Sequence, residues 1–277
     1  MALILTEREL TPITKLFVVE APLIARNAEP GQFVMIRVHE YGERVPVTIT
    51  DFDRRAGTIT IVVQNVGKTT SMICAQRAGD VFLDFVGPLG RPAPLPEDGH
   101  VALIGGGFGA GAIYTLAREL RCRGVRVTAI VGAQTRDLLI LQDEVRSFSD
   151  AYFPCTDDGS FGYHGFVTGQ LAQLLEGGAD FIACYAIGPM AMMRAVAETT
   201  RPYGLRTMAS LDPIMVDGTG MCGACRVTID GRLRFACVDG PFFDAHKVDF
   251  AELVVRSKTY LDEQETASRH AGAVRRS

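Results

Sequence analysis

The chain has 277 residues, a formal net charge of −4 and 47% hydrophobic residues. That length suits two domains with a smaller addition, each able to bury a core. The mild acidity and the scatter of basic residues, apart from an Arg-rich end (SRHAGAVRRS), argue against a nucleic-acid partner. No signal sequence or membrane span is expected: the apolar start breaks at Thr6 and Glu7, and VALIGGGFGAGAIYTLA is glycine-broken and too short to cross a bilayer. Seven cysteines, an odd number, fit no disulfide framework, and the expected compartment is the cytoplasm.

In chain order, residues 1–98 read as strand after strand: KLFVVEA, QFVMIRVH, VPVTITDFD, TITIVVQNV and DVFLDFVG, punctuated by Gly, Pro and Asp. This predicts a closed antiparallel barrel or sandwich, interrupted by one helix, TTSMICAQR. The linker GPLGRPAPLPEDG follows, and the texture changes to strand–helix alternation over residues 99–204. VALIGGG is a buried strand, AGAIYTLARELRCRG an amphipathic helix and VRVTAIVGA a second strand. The alternation runs on to MAMMRAVAETTRPYG and implies a parallel sheet covered on both faces. Residues 205–250 hold a cysteine loop and the hairpin CRVTIDGRLRFAC; residues 251–277 complete a helix and end in a tail expected to be disordered. The fold class is thus β plus α/β, with a small C-terminal domain.

Cys74, Cys122, Cys155 and Cys184 are dispersed and read as small buried side chains. The remaining three are clustered. Asp217, Cys222, Cys225 and Cys237 form D-x4-C-x2-C-x11-C, close to plant-type [2Fe–2S] spacing with aspartate in place of the first cysteine. Gly218, Gly220 and Gly223 allow the sharp folding such a loop needs. Zinc is the competing metal, but a second C-x2-C is missing. Asp217 has two readings: a harder oxygen ligand that alters the reduction potential, or the cap of an Asp-Gly turn.

Gly105, Gly106, Gly107 and Gly109 stand between a buried strand and a helix, where backbone can approach a pyrophosphate at a helix N-terminus. The spacing is not G-x-G-x-x-G, and no acidic residue ends the second strand, where Gln134, Thr135 and Arg136 stand, so these residues leave NAD and NADP both open. Gly188 and Pro189 make a sharp turn at another strand end. A nicotinamide delivers electrons in pairs and an iron–sulfur cluster takes them singly, so a flavin is needed between them. The barrel offers Arg44, Pro46, Val47 and Thr48 on one strand, and Gly67, Lys68, Thr69 and Thr70 before its helix. Each stretch also reads as plain strand or plain turn. No side-chain acid or base is expected, and His164 and His246 read as surface or loop residues.

RVPVT, VGKTT, GPLGRP, GGGFGAGA, DDGSFGYHGFVT, AIGPMAMM and DGTGMCGACRV occur in an order that resembles the ferredoxin–NADP reductase superfamily, in its branch with a C-terminal [2Fe–2S] domain. That branch includes the electron-transfer subunit of dihydroorotate dehydrogenase. The chain looks most like another member, the small subunit of the NADH-dependent reduced ferredoxin:NADP oxidoreductase, or sulfide dehydrogenase-like subunit. Asp217 favours that member, whose cluster is held by one aspartate and three cysteines, and so does Ile187, where many relatives place a cysteine. The resemblance implies FAD at Pro46–Thr48 and Gly67–Thr70, NAD(H) at Gly105–Gly109, and Asp157, Asp158 and Ser160 near that site. It also implies a larger flavoprotein partner with FAD and two [4Fe–4S] clusters, through which ferredoxin is reached, and electron bifurcation that needs this partner. Arg44 is displaced by one residue from the usual flavin motif, and GAGA lacks the usual x-A-P. The alternatives are a dihydroorotate dehydrogenase subunit, a diaphorase-like hydrogenase subunit, or a non-enzymatic cluster-sensing or assembly module.

Overall fold

The protein, described here by a computed structural model, is defined over residues 1–263 and 266–267. The tail expected to be disordered lies outside these residues except for Thr266 and Ala267. The described residues form two seven-stranded sheets and a two-stranded ribbon.

The first sheet is antiparallel and starts earlier than the sequence pattern suggests. β1 (Ala2–Thr11) pairs with β2 (Thr14–Glu20), although only Ala2, Ile4 and Thr11 of β1 are buried. A strand so weakly alternating carries little apolar signal. α1 (Pro22–Asn27), opened by a proline suited to a first helical turn, is followed by β3 (Phe33–Arg37), β4 (Val45–Asp53) and β5 (Thr58–Gln64). α2 (Lys68–Cys74) leads to β6 (Val81–Phe82) and β7 (Asp84–Leu89), so DVFLDFVG is two strands rather than one. The barrel therefore holds two helices, not the single one expected. The order is β6-β1-β2-β5-β4-β3-β7, a nearly closed barrel around Phe17, Ile49, Ile59, Ile61 and Phe82. Buried Lys15 is satisfied by donating from Nζ to the carbonyls of Cys74 (3.1 Å) and Gln76 (2.9 Å), where the C-terminal end of α2 favours a cation.

The second sheet contains β8 (His100–Gly106), α3 (Gly109–Cys122), β9 (Arg126–Ala133), α4 (Gln142–Ser147), β10 (Ala151–Thr156), β11 (Tyr163–His164), α5 (Val167–Glu176), β12 (Ala183–Ile187), α6 (Met190–Thr200) and β13 (Thr207–Ser210). Its order is β11-β10-β9-β8-β12-β13, all parallel, with a C-terminal strand, Phe242–Asp244, added antiparallel beside β13. β8 is buried from Val101 to Gly106, as a strand covered on both faces must be.

The C-terminal segment does not stand apart from this sheet. After the cysteine loop come β14 (Arg226–Ile229), β15 (Arg232–Phe235) and α7 (Ala236–Asp239), then β16 (Phe242–Asp244), which pairs with β13, and α8 (Phe250–Ser257). One apolar core runs from Phe33 and Met35 of the barrel through Ile104 and Ala186 to Cys225, Cys237 and Phe250. The dispersed cysteines divide: Cys155 and Cys184 are buried as expected, Cys74 is half-buried, and Cys122 is exposed on the last turn of α3.

Barrel and α/β sheet meet along α3 and β4. Thr115 donates from Oγ1 to the Thr50 carbonyl, Arg118 pairs with Asp51, and Gly111 leaves room for the Thr50 hydroxyl. Desolvation pushes the Asp51 carboxyl above its ordinary value, and the Arg118 guanidinium opposes that rise. Removing the guanidinium in Arg118→Met leaves Asp51 to ionise in a half-buried site without a counter-charge. Its folded-state pKa then rises further above the unfolded value. We expect the variant to lose stability relative to wild type as pH rises, with the gap closing as pH falls below the ordinary aspartate value of about 3.9, where the carboxyl is protonated in folded and unfolded states alike. Urea unfolding across that range checks this.

Candidate functional site

Period-two alternation along β4 turns Val47 into the barrel core and leaves Pro46 and Thr48 half-buried on the opposite face. Any ligand on that face meets Val47 only through its main chain. Arg44 is engaged elsewhere: its Nε and Nη2 donate to Asp84 at 3.0 and 2.8 Å, while Arg37 Nε stands 2.7 Å from the same carboxylate. These donors hold the Asp84 carboxyl below its usual range. The turn before α2 is built by its own side chains. Thr70 Oγ1 accepts from the N–H groups of Val66 (3.0 Å) and Gly67 (2.9 Å), and Gly67 has no atom within 4 Å of where a Cβ would stand. Lys68 has no hydrogen-bond or ion-pair partner among the described residues. Thr69 donates to Glu43 at 2.8 Å, which joins the two barrel segments singled out in the sequence. Glu43 carried no sequence signal for this, being one more charge in a polar turn.

In the parallel sheet, β8 lies between β9 and β12, so the chain order reverses at the C-terminal end of β8. A cavity of about 550 Å³ opens there between the sheet and the barrel. Gly106, Gly107, Asp157 and Pro189 line it from the sheet side, and Thr14 and Gln64 from the barrel. The volume lies within the range of small-molecule sites. The four glycines of the turn divide by role. A Cβ at Gly105 would press on Ile113, one at Gly106 on Met192 and Pro189, and one at Gly109 would collide with the Ile187 carbonyl. Gly107 alone, at φ +55°, has open space around it. Gly188, at φ +153°, packs against the backbone of Gly106 and so locks the turn before α6 to the turn before α3. Thr14 and Gln64 were not foreseen, because nothing in a β-strand sequence says that its end faces a second domain.

The loop after β10 is tied to the end of β9 by Asp157 N–H to the Ala133 carbonyl (3.1 Å) and Asp158 N–H to the Gln134 carbonyl (3.2 Å). The Asp158 carboxylate is occupied by Ser160, accepting from its Oγ at 2.6 Å and its N–H at 3.0 Å, and is held low by these bonds. Ser160 Oγ in turn accepts from the Arg136 N–H (2.8 Å), and the Arg136 guanidinium lies over the Phe161 ring rather than along the cavity. Asp157 is therefore the acidic residue that lines the cavity. His164 is exposed and His246 bonds to Thr200, so neither faces it.

The cysteine loop runs through Gly218, Gly220 and Gly223 at φ +77°, +84° and +68°. A Cβ at Gly218 would meet Leu89 and Met35, so this glycine is what seats the loop against the barrel. Cys225 and Cys237 are buried with their Sγ atoms 3.1 Å apart, too far for a disulfide. Burial and the adjacent Cys225 thiol push the Cys237 thiol above its ordinary value, a cost that a bound cation would remove. The N–H groups of Cys237 and Ala224 point at Cys225 Sγ and Cys222 Sγ, each at 3.5 Å. Asp217 accepts from the N–H groups of Thr219 (2.9 Å) and Cys222 (3.0 Å), which hold its carboxyl low. No three His, Cys, Asp or Glu side chains are gathered as a metal site among the described residues. The candidate ligands fall in pairs instead, Cys225 Sγ with Cys237 Sγ and the Asp217 carboxylate on the Cys222 N–H. Pairs suit a two-iron cluster, which divides four protein ligands between two irons, better than a single zinc ion, which needs all four at once.

Residues 212–249 match the family model for the iron–sulfur cluster-binding domain of dihydroorotate dehydrogenase B. The chain is 44% identical over 248 residues to a dihydroorotate dehydrogenase B (NAD⁺) electron transfer subunit homolog of Thermotoga maritima, covering 90% of this chain and 87% of that one. It is 34% identical to the dihydroorotate dehydrogenase B electron transfer subunit of Geobacillus thermodenitrificans, over 88% of this chain and 96% of the other. Among solved structures, a chain of the NADH-dependent reduced ferredoxin–NADP oxidoreductase, described in connection with flavin-based electron bifurcation, matches with TM-score 0.93 and 42% identity over 98% of this chain and 97% of that one. A barrel, a parallel sheet with a cavity at its switch point, a paired-ligand cysteine loop and identity of this extent agree: the chain belongs to the family of dihydroorotate dehydrogenase B electron-transfer subunits and their homologs.

Proposed function

We propose that the chain is the electron-transfer subunit of a larger NADH-dependent oxidoreductase of the ferredoxin–NADP type, carrying FAD and a [2Fe–2S] cluster and using NAD(H). The observation that carries this is the match along 98% of the chain to the NADH-dependent ferredoxin–NADP oxidoreductase structure. Asp217 in the first ligand position supports the same member of the family. When bound, the flavin would convert between the electron pairs of the nicotinamide and the single electrons of the cluster.

This chain's residues would contribute position and electrostatics. Pro46 and Thr48 offer a rigid apolar surface and a hydroxyl on the outward face of β4, and Gly67, Lys68, Thr69 and Thr70 offer a turn with open backbone and a cation for phosphate. Gly107 leaves the turn before α3 open to a pyrophosphate, while Gly105, Gly106, Gly109 and Gly188 keep the two crossover turns packed beneath it. Asp157 would take ribose hydroxyls at the cavity edge and disfavour a 2′-phosphate, which selects NAD(H). Cys225 and Cys237 would hold one iron and Asp217 and Cys222 the other, with the loop N–H groups stabilising charge on sulfur. Among the described residues no helix is long and apolar enough to cross a membrane.

The partner would be a larger flavoprotein with FAD and two [4Fe–4S] clusters, through which ferredoxin and any bifurcation are reached. A second reading, the electron-transfer subunit of a dihydroorotate dehydrogenase, is favoured by the match over residues 212–249 and by the names of the relatives. Anaerobic native purification with mass spectrometry decides between them. A cysteine-rich [4Fe–4S] flavoprotein is the expected companion, and an FMN-containing dihydroorotate dehydrogenase would move the assignment. Asp217→Cys should keep two irons but change the EPR g-values and the reduction potential; an unchanged signal would remove Asp217 from the ligand set. In Asp157→Asn, NADH affinity should fall about tenfold, the scale of one lost charged hydrogen bond, while NADPH affinity rises. Equilibrium titration of both nucleotides is the measurement.

A further inference from the structure

α8 is tied to the ribbon that follows the cysteine loop. Ile229 bridges to Val248, the Asp230 N–H donates to the Lys247 carbonyl at 2.8 Å, and the Asp249 N–H donates to the Thr228 carbonyl at 3.0 Å. Asp249 then caps α8, its carboxylate accepting from the Glu252 N–H at 2.9 Å. Phe250 and Leu253 carry the helix into the core that also holds Cys225 and Cys237. Arg256 follows Leu253 on the same side of the helix, at the i,i+3 spacing. Its Nη2 donates to the Ala224 carbonyl at 2.8 Å, between Cys222 and Cys225. A second arginine reaches the loop from the linker after the barrel: Arg91 Nε donates to the Val238 carbonyl at 3.1 Å, next to Cys237. The two differ in what else they meet. Arg91 is exposed and has the Asp239 carboxylate 3.9 Å away. Arg256 is half-buried, and its Nε is closed off from solvent without an acceptor. No carboxylate pairs with it among the described residues.

A half-buried guanidinium with one donor unmet contributes little to stability by itself. An anionic group seated in the loop beside it would supply the missing counter-charge. We propose that Arg256 is a positioning residue for the iron–sulfur cluster, fixing the Ala224 peptide between two ligands and raising the cluster's reduction potential through its positive charge. This rests on the [2Fe–2S] reading of the loop. Holding the Ala224 carbonyl on the α8 side turns the N–H of the same trans peptide, that of Cys225, to the opposite side. The ligand loop is thus oriented from the helix that packs against it. A [2Fe–2S] cluster with four anionic protein ligands is itself anionic, and it gains a further negative charge when it takes an electron. A nearby cation therefore favours the reduced form, net charge and hydrogen bonding being among the levers that set such potentials. Water and salt screen a half-buried charge less than an exposed one, which separates Arg256 from Arg91.

The test uses the full chain purified anaerobically, with iron and acid-labile sulfide counted in each variant. Arg256→Gln removes the charge, and Arg256→Lys keeps it without the planar fork. Arg91→Gln is the comparison, since it removes a carbonyl-binding arginine whose charge already faces Asp239. The midpoint potential is read by titration with dithionite, following the EPR signal of the reduced cluster. In Arg256→Gln the one-electron reduction equilibrium should move about tenfold towards the oxidised form, a fall of about 59 mV. Arg256→Lys should recover most of that fall, and Arg91→Gln should show less than about half of it. A wild-type potential in an iron-loaded Arg256→Gln chain overturns the proposal. An equal fall in Arg256→Lys or in Arg91→Gln does so too, because the charge at this position would then not be the cause. Should Arg256→Gln lose its iron, Arg256→Lys decides: iron and potential near wild type support the charge, and iron lost there as well overturns it. A wild-type chain without iron and sulfide overturns the cluster reading itself.

Discussion

The contact between β4 and α3 sets the geometry on which the rest depends. β4 does two things within one strand: Pro46 and Thr48 present the outward face singled out for a flavin, and Thr50 and Asp51, a few residues on, grip Thr115 and Arg118 of α3. α3 begins at Gly109, directly after the open turn at Gly107. The distance between the barrel face and the mouth of the cavity is therefore held by one strand, one helix and a half-buried ion pair. A surface ion pair would add little, but this one bonds a carboxyl that burial has already made costly to ionise, so the partner cannot be removed without consequence.

The C-terminal segment is placed by the same logic. It lacks a separate core and borrows one, with Cys225 and Cys237 packed among residues of the parallel sheet and of the barrel. Gly218 can sit against Met35 and Leu89 only because it has no side chain, which brings the cysteine loop onto the outside of the barrel strands β3 and β7. A loop held on two sides can keep paired ligands at fixed spacing before any metal arrives. In the fold the Cys225 and Cys237 sulfurs stand 3.1 Å apart, with the Cys237 N–H aimed at Cys225 Sγ and the Ala224 N–H at Cys222 Sγ.

The glycine run after β8 illustrates how one motif serves two demands. Read as a string, all of its glycines look like a phosphate cradle. In the fold, Gly105, Gly106 and Gly109 are small because Ile113, Met192 and the Ile187 carbonyl stand against them, and only Gly107 is open. The departure from G-x-G-x-x-G spacing follows, since the positions of the packing glycines are dictated by how closely α3 and α6 approach the sheet. Asp157 and Asp158 divide in a similar way, one lining the cavity and the other closing its own turn with Ser160.

The sequence alone determined the β plus α/β architecture, because β-branched runs and strand–helix alternation are local patterns with fixed periods. It also determined the ligand-type spacing of Asp217, Cys222, Cys225 and Cys237, which is set by short-range loop geometry. It missed β1 and α1, whose apolar signals are weak, and counted DVFLDFVG as one strand where the barrel bends into two. What only the tertiary structure decided was pairing across long separations: Glu43 with Thr69, Asp51 with Arg118, Thr14 and Gln64 facing Gly107 across the cavity, and β16 closing the edge of a sheet that begins at residue 100. Such contacts depend on where whole elements dock, and a charged or small residue in a turn carries no local trace of the partner it will meet.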